Sequence, residues 1–313
     1  MNSFAKDVDS GLSASPKSLS SKYFYDDEGS RIFQQIMDLP EYYLTNCELE
    51  ILTEQAAAIY EATQFHAHFN IVELGAGDGA KTRELLRHLL EQGIDFTYIP
   101  IDISEEAIKL LTADLRQQLP RLQIHPKVGD YFSVLKEVKT NESPNLFLFL
   151  GANIGNYLPD AADDLLEMIR RHMRGDDKLM VGFDLKKNPL IIAAAYNDDQ
   201  GITRGFNLNL LSRINRELGG DFDRERFDFY SYYNPINGEV RSFIISREEQ
   251  TVHIRALGKQ FAFRKGEWVY TELSRKYSFR EIKALATKNG FQVLKHFCDR
   301  RGYFTDSLWG VSP

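Results

Sequence analysis

The stretch VELGAGDG, residues 72–79, decides the fold. It closes the apolar run FNIVELGAG (69–77), which predicts a buried parallel strand. It also precedes AKTRELLRHLLEQG (80–93), which predicts an amphipathic helix that ends at a glycine. Gly75 and Gly77 lie between the two, where glycine permits a positive φ and a close approach of the backbone to a ligand. Because open α/β sheets bind ligands at the carboxyl ends of their strands, this loop is a candidate binding site.

Strand and helix continue to alternate up to residue 185. The further strands predicted are 96–104, 122–132, 145–156 and 178–185, and the further helices are 104–119, with Ser104 as its N-cap, and 160–173. Such alternation is typical of a parallel sheet covered by helices on both faces, so the fold class is α/β.

The alternation stops after Asp184. Residues 187–218 predict a helix in two pieces around Gly201, and 280–290 predicts another helix. Three further runs, 238–246, 250–256 and 259–266, predict an antiparallel meander, and 291–299 with 302–311 predict a closing hairpin. We therefore expect a sheet domain interrupted by a second lobe.

Upstream of the sheet, residues 29–38 and 46–62 carry apolar groups at helical spacing. Residues 1–22 are rich in Ser, Lys and Asp, which favours a flexible arm. The expected organisation is an arm at 1–22, a substrate-binding lobe at 23–49 plus 187–276, and a cofactor-binding domain at 50–186 plus 277–313.

Charge and composition exclude several classes of protein. The 313-residue chain has a net charge of −7, so it lacks the basic footprint of a nucleic-acid binder. It has no signal-peptide pattern and no run of the ~20 apolar residues that span a bilayer. Cys47 and Cys298 show no metal-ligand spacing and fit two ordinary thiols in a reducing compartment. We expect a cytoplasmic monomer that binds no metal, nucleic acid or membrane.

Two acidic residues narrow the choice of cofactor. Asp102 ends the strand after the glycine loop, where a carboxylate can accept hydrogen bonds from both hydroxyls of a ribose. Asp130, in GDYF (129–132), is expected to end the third strand beside an adenine. This order, with a closing antiparallel strand, favours S-adenosylmethionine (SAM) over a nicotinamide dinucleotide. A dehydrogenase and a plain helix-cap role for Asp102 remain the alternatives at this point.

Five segments carry a family resemblance. They are SSKYFYDDEGSRIFQQIMDLPEYYLTNCELEIL (20–52), VELGAGDGAKT (72–82), FLGANIGN (149–156), AAYNDDQGITRGFNLNLLSRINRELGGDF (194–222) and YTELSRKYS (270–278). Together they resemble the histidine-specific Nα-methyltransferases, which make trimethylhistidine (hercynine) for ergothioneine biosynthesis. The likeness covers nearly the whole chain after residue 15.

The resemblance implies a Rossmann-like class I SAM-dependent methyltransferase sheet with an inserted α+β substrate-binding lobe. It implies that SAM is converted to S-adenosylhomocysteine (SAH). The cofactor-binding residues expected are Gly75, Gly77, Lys81, Asp102, Asp130 and Tyr131.

On the acceptor side, the resemblance implies that a small amino acid is bound. Asn156 and Tyr196 would hold its carboxylate, while Glu272 and Ser274 would recognise its imidazole. Tyr42 would contact the substrate near the amine or imidazole, where it or a water is the candidate proton acceptor. Tyr25 would line the same pocket. A carboxylate such as Glu272 accepts from an imidazole N–H, which is compatible with this role.

Each assignment has a purely structural alternative. Asn156 would then cap a helix, Tyr196 would be core, Tyr42 would be a half-buried aromatic, Glu272 a solvated strand carboxylate and Lys81 a surface charge. For Tyr43 the structural reading is the one we prefer.

One departure from the family leaves the substrate open. Ser242 stands where a larger apolar residue is expected near the imidazole, and a smaller residue would widen the pocket. Methylation of another amino acid, aromatic or tryptophan-derived, is therefore an alternative, as is a catalytically silent SAM-binding module. The number of methyl groups added is likewise open.

Overall fold

The computed structural model describes residues 3–137 and 143–312. The chain divides into two compact units, which differ by a few residues from the expected boundaries. Unit 1 is Met1–Tyr43 with Lys187–Arg275, and unit 2 is Leu44–Lys186 with Lys276–Pro313.

The helices and strands over the described residues are numbered in chain order. The helices are α1 (Ser3–Ser13), α2 (Asp27–Met37), α3 (Tyr43–Glu54), α4 (Ala56–Thr63), α5 (Thr82–Glu91), α6 (Glu105–Gln118), α7 (Tyr131–Glu137), α8 (Pro159–His172), α9 (Pro189–Ala195), α10 (Ile202–Leu218) and α11 (Phe279–Lys288). The strands are β1 (Lys17–Ser18), β2 (Phe69–Leu74), β3 (Phe96–Asp102), β4 (Gln123–Ile124), β5 (Lys127–Val128), β6 (Asn145–Phe149), β7 (Lys178–Asp184), β8 (Phe227–Asn234), β9 (Glu239–Ser246), β10 (Gln250–Ile254), β11 (Lys259–Phe263), β12 (Trp268–Arg275), β13 (Phe291–Cys298) and β14 (Phe304–Val311). None of the helices in these residues is long and apolar enough to cross a bilayer.

Unit 2 is built on one sheet in the order β13-β14-β7-β6-β2-β3-β4, with β5 also paired to β3. Strands β7, β6, β2, β3, β4 and β5 are parallel, whereas β14 runs antiparallel to both β7 and β13. Strands β2 and β6 are buried at every residue, as strands covered on both faces must be. The predicted parallel sheet and its closing hairpin are confirmed.

Two of the predicted strands are shorter than expected. Residues 122–132 form only the two-residue strands β4 and β5, and α7 begins at Tyr131. The fourth strand ends at Phe149, and Asn153–Asn156 is a 3₁₀ turn. Asp130 therefore lies before a helix and does not end a strand, which corrects the expectation for that residue.

Unit 1 contains a four-stranded sheet in the order β1-β12-β9-β8 and a separate hairpin of β10 with β11. The predicted meander is wrong, because β9 pairs with β8 and β12 and not with β10. Strand β8 was not predicted, and β12 was given no bounds, although a strand was considered at Glu272. The break between two helices at Gly201 is confirmed, and this glycine has a φ of 73°.

The expectation of a flexible arm at residues 1–22 is wrong for its described part. Helix α1 buries Phe4, Ala5, Val8 and Leu12 in the same apolar cluster as α10 and β9. Strand β1 then adds to the edge of β12 in parallel. These four apolar side chains lie on one face of the helix, which is sufficient to hold a segment that is otherwise polar.

Candidate active site

The glycine-rich loop of unit 2 follows β2 and has the backbone geometry that its sequence predicts. Gly75 and Gly77 have φ values of 74° and 54°, in the region that side chains disfavour. A Cβ atom on Gly75 would lie 2.5 Å from the Tyr131 hydroxyl oxygen, whereas one on Gly77 would meet nothing within 4 Å. Gly75 therefore allows both the turn and the approach of Tyr131.

Asp102 lies at the carboxyl end of β3 and is bound to the glycine loop. Its carboxylate accepts from the backbone N–H of Gly77 at 3.1 Å and of Ser104 at 3.0 Å. The N-cap of α6 is Ser104, whose hydroxyl accepts from Ala107, so Asp102 is not simply the helix cap. Because a carboxylate has about four acceptor positions, Asp102 retains capacity for the hydroxyls of a ribose.

Asp130 and Tyr131 stand at the start of α7. The Asp130 carboxylate accepts from the backbone N–H of Ser133 at 3.1 Å and from its hydroxyl at 2.7 Å. The Tyr131 ring contacts Phe149 edge to face at 6.2 Å, and burial raises the pKa of its phenol. The GDYF motif thus forms a capped helix start, and its tyrosine borders the glycine loop.

Lys81 is not a surface charge, which excludes the structural alternative stated for it. Its ammonium forms an ion pair with Glu48, whose side chain has no exposed surface. Glu48 also accepts from the backbone N–H of Gly151 at 2.7 Å. Lys81 is thereby fixed beside the loop that follows β6, at the same edge of the sheet as Gly75 and Asp102.

Asn156 ends the 3₁₀ turn that follows β6, and it is exposed. The N-cap of the next helix, α8, is Leu158, with Pro159 in the first turn and no side-chain cap. Asn156 therefore does not cap α8, so its structural alternative fails.

In unit 1, a β-bulge at Thr271 sets the direction of Glu272. The register of β12 on β9 shifts between Tyr270 and Glu272, so that Glu272 pairs with Ser242 and Ser274 with Val240. Directly opposed residues share a face of the sheet, and without the extra residue Glu272 would point to the other face. The Thr271 hydroxyl donates to Asn207 at 3.1 Å, which holds the bulge against α10.

The face that carries Glu272 is lined with hydroxyl groups. Ser242 lies 3.5 Å from the Glu272 carboxylate, and Ser274 shares a buried hydrogen bond of 2.8 Å with the Tyr196 hydroxyl. The Ser231 hydroxyl donates to the Tyr196 carbonyl at 3.0 Å. Tyr196 is only 8% exposed, so it is a core residue by burial. Its hydroxyl and its carbonyl are nevertheless both hydrogen-bonded to serine hydroxyls, those of Ser274 and Ser231.

Tyr42 and Tyr25 border the same part of unit 1. The Tyr42 ring lies 6.4 Å from the Tyr196 ring, and both Tyr42 and Tyr25 contact Phe33 edge to face. The pKa of the Tyr25 phenol is raised, first by desolvation and then by the nearby Glu272 and Tyr196. Tyr25 nevertheless keeps 49% of its surface exposed, so desolvation of its hydroxyl is not burial of the whole residue.

Tyr43 differs from these two tyrosines. It is buried, and its hydroxyl accepts from Lys187 at 2.8 Å. The preferred structural reading of Tyr43 therefore agrees with its contacts.

An open groove of about 540 Å³ lies on the opposite face of the unit 1 sheet. Trp268 and Tyr270, which line it, pair with Ile245 and Phe243 and so face away from Glu272. The residues that line this groove do not include the acidic and hydroxyl groups of the candidate site.

Sequence reasoning missed two polar residues in these arrangements, Glu48 and Ser231, and a further buried acid of unit 2, Asp306 on β14. Glu48 lies in CELEIL (47–52), where acidic and apolar residues alternate, and Asp306 lies in FTDSLWGV (304–311) between a threonine and a serine. Neither run distinguishes a buried acid from an exposed one, although buried carboxylates are rare unless they are paired. Ser231 gave no signal either, since β8 was not predicted.

The fold and the unit 2 edge together define a class of protein. A parallel sheet closed by an antiparallel strand, a positive-φ glycine loop after β2, a carboxylate at the end of β3 and a lysine paired with a buried glutamate are typical of a Rossmann-like SAM-dependent methyltransferase. The model of the family described as "Histidine-specific methyltransferase, SAM-dependent" matches residues 4–311, and the chain belongs to this family.

Relatives of established name agree with the family. A histidine N-alpha-methyltransferase of Mycobacterium tuberculosis (strain CDC 1551 / Oshkosh) is 34% identical over 97% of this chain and 93% of its own length. Ergothioneine biosynthesis protein 1 of Schizosaccharomyces pombe is 28% identical over 89% of this chain but only 37% of its own length. The N-methyltransferase imqF of Aspergillus flavus is 25% identical, over 94% of this chain and 81% of its own length.

Proposed function

We propose that this protein transfers methyl groups from SAM to the α-amino group of free L-histidine, three times in succession, to give trimethylhistidine. The observation that carries this proposal is the 34% identity to a histidine N-alpha-methyltransferase over 97% of the chain, which spans both units. The arrangement of Glu272 and Ser274 on one face of the unit 1 sheet supports the choice of an imidazole.

The unit 2 residues fit the cofactor. Positive φ at Gly75 and Gly77, which carry no side chains, allows the backbone of this loop to lie close to a ligand, and Asp102 has acceptor capacity for a ribose. Lys81 supplies a cation for the one carboxylate that SAM carries. When bound, SAM supplies a methyl group on a positively charged sulfur.

The acceptor residues follow from the chemistry of a zwitterion. Glu272 would accept from an imidazole N–H, and the hydroxyls of Ser274 and Tyr196 would donate or accept beside it. Asn156 is proposed to donate from its amide to the acceptor carboxylate. Tyr42 and Tyr25 would supply aromatic faces to the amine, which becomes a quaternary ammonium after the third transfer.

Each round of the reaction requires a neutral amine. Its lone pair forms the new N–CH₃ bond as the S–CH₃ bond breaks, and the electron pair of that bond stays on sulfur. An α-amino group with a pKa near ~8 must therefore lose a proton before attack. Tyr42 or a water would take this proton, and the fixed orientation of the amine supplies much of the rate.

A second candidate is the methylation of another amino acid. Ser242 is buried beside Glu272, and its small side chain gives room for a larger ring than imidazole. The A. flavus relative shows that N-methyltransferases of other names are similar to this chain.

A panel of free amino acids incubated with SAM distinguishes these functions. We expect histidine to give the highest kcat/KM, measured by SAH release, with tryptophan and phenylalanine far lower. Preference for an aromatic amino acid would support the second candidate. SAM binding without turnover of any amino acid would identify a silent binding module and overturn the proposal.

A further inference from the structure

Two buried carboxyl groups lie close to each other in unit 2, near Lys81. Glu48 on α3 and Asp306 on β14 are both 0% exposed. Gly182 of β7 pairs directly with Asp306, and a Cβ atom on it would lie 2.5 Å from a Glu48 oxygen and 3.2 Å from an Asp306 oxygen. Because Gly182 has no side chain, there is space at this point for the two carboxyl groups to lie close together.

The two acids have very different partners. Glu48 accepts from the Lys81 ammonium and from the backbone N–H of Gly151. Neither carboxylate oxygen of Asp306 has a hydrogen-bond donor among the described residues. An ionised carboxylate without a donor is strongly disfavoured in the interior, and two adjacent buried acids facing one lysine favour retention of a proton.

We propose that Glu48 and Asp306 form a singly protonated carboxyl pair that positions Lys81 to bind the carboxylate of SAM. Asp306 keeps the proton and donates it in a hydrogen bond to Glu48, which carries the negative charge facing Lys81. Both acids are positioning residues, because they act through Lys81. The inference rests on the proposed function, which assigns Lys81 to the cofactor.

The groups around Asp306 agree with a protonated Asp306 and a negatively charged Glu48. Burial raises the pKa of Asp306 well above its usual range, and the charge of Glu48 raises it further, while Lys81 opposes the shift. Cys298, on the neighbouring strand β13, is a thiol whose own pKa is raised by burial, so it adds no charge at neutral pH. Glu73, which lies near Lys81, has a pKa raised by burial to about 7.

Lys81 remains charged in this environment. Burial alone would lower its pKa, but Glu48 outweighs that effect and raises it. An ammonium has three donors, so the bond to Glu48 leaves two for a ligand. With Asp306 neutral, the three groups Glu48, Asp306 and Lys81 sum to zero charge and do not repel an incoming carboxylate. With Asp306 ionised they would sum to −1 and would repel it.

Isosteric amides test the pair. In Asp306→Asn, the amide N–H replaces the carboxyl proton as donor to Glu48, so SAH should bind within about twofold of the unsubstituted protein. In Glu48→Gln, Lys81 loses the partner that fixes its ammonium in place, and SAH should bind about tenfold or more weakly because this loss of position outweighs the added positive charge. Calorimetric titration with SAH gives both values without requiring turnover.

The pH dependence of unfolding separates a shared proton from simple packing. Unfolded Asp306 ionises near ~3.9, whereas folded Asp306 keeps its proton to much higher pH. Between these values the folded state binds more protons, so this group lowers stability as the pH rises. Asp306→Asn should therefore gain Tm relative to the unsubstituted protein between about pH 5 and about pH 8.

Asp177 provides the matched control. It is also 0% exposed, but it lies before β7, where it accepts from the backbone and amide N–H groups of Asn145. Asp177→Asn should lower Tm and leave SAH affinity unchanged.

Two results would overturn the proposal. The first is that Asp306→Asn loses as much SAH affinity as Glu48→Gln. The second is that the Tm of Asp306→Asn runs parallel to that of the unsubstituted protein across the pH range, a test that does not need Glu48→Gln to fold. If the unsubstituted protein fails to bind SAH at all, the proposed function fails instead.

Discussion

The Glu272 carboxylate is half-buried and stands opposite a serine hydroxyl at 3.5 Å, a distance too long for a strong hydrogen bond. Its negative charge already influences its surroundings, since it helps to raise the pKa values of Tyr25 and Tyr270. A carboxylate can accept further hydrogen bonds from a cationic or N–H-bearing ligand.

We expect Glu272→Ala to raise the KM for histidine by about 10- to 100-fold, because a hydrogen bond to a charged group is lost. The affinity for SAH should stay within about twofold. Steady-state kinetics with a parallel SAH titration measure both. The exposed Glu248→Ala is the control and should change neither value; equal losses of histidine and SAH binding in Glu272→Ala would contradict the assignment.

Single residues differ in how far their sequence reveals their position. The positions of Asp102 at the end of a strand and of Gly75 directly after one were predicted correctly, because an apolar run that indicates a buried strand stops at each of them. Asp130 was misplaced, because the third strand is interrupted. The direction of Glu272 depends on a one-residue bulge, and a shift of one residue reverses every face of a strand without changing its pattern of residue types.

Among the elements, helix α1 shows how a few apolar side chains on one face can pack an otherwise polar segment against the core. Phe4, Val8 and Leu12 recur at a spacing of four residues and enter the core of unit 1. The Phe4 ring also lies 4.5 Å from that of Tyr23.

Phe4→Ala should lower the free energy of unfolding by about 3 kcal/mol, the cost typical of removing a buried phenylalanine. Urea denaturation measures it, with the exposed Lys6→Ala as control. A loss below about 0.5 kcal/mol, as for a surface substitution, would restore the interpretation of a flexible arm.

Helix α11 begins with a capping box formed by Ser278 and Glu281. Burial alone would raise the pKa of Glu281, but its bonds to Lys186 and Ser278 lower it to about 2. The stabilisation from this carboxylate is therefore complete above its unfolded pKa of about 4.5 and is lost as the pH falls towards about 2.

Glu281→Gln should accordingly cost about 1 kcal/mol at neutral pH, and the difference should shrink as the pH falls below about 4.5. Thermal melts at neutral and acidic pH measure the trend, and the exposed Glu249→Gln should show none of it. A difference that stays constant with pH would mean that the charge of Glu281 contributes nothing.

The elements of unit 2 were predicted better than those of unit 1. A parallel strand covered on both faces is a mostly apolar run, as in β2 and β6, and is easily recognised. Strands β8 and β12 are exposed on one face and rich in tyrosine and charge, so no run marks them. The partner of β9 could not be predicted, because several strands alternate equally well.

At the scale of the whole molecule, the chain leaves unit 2 after Lys186 and returns at Lys276. Within unit 2, the segment that ends at Lys186 and the segment that begins at Lys276 are bonded to each other. Lys276 and Asp184 form an ion pair of 2.8 Å with no exposed surface, and the Tyr277 N–H donates to the Asp184 carbonyl at 2.9 Å. Within unit 2, the point at which the chain leaves and the point at which it returns are therefore held together next to the end of β7.

The central claim is that this fold methylates the α-amine of free histidine. Mass spectrometry of histidine incubated with the protein and SAM tests it most directly, because one spectrum gives both the substrate and the number of methyl groups, and fragmentation places them on the α-nitrogen. The account predicts that histidine is converted to its Nα-trimethyl form with an equivalent amount of SAH for each methyl group. Unchanged histidine in the presence of bound SAM, or methyl groups on the imidazole ring, would contradict it.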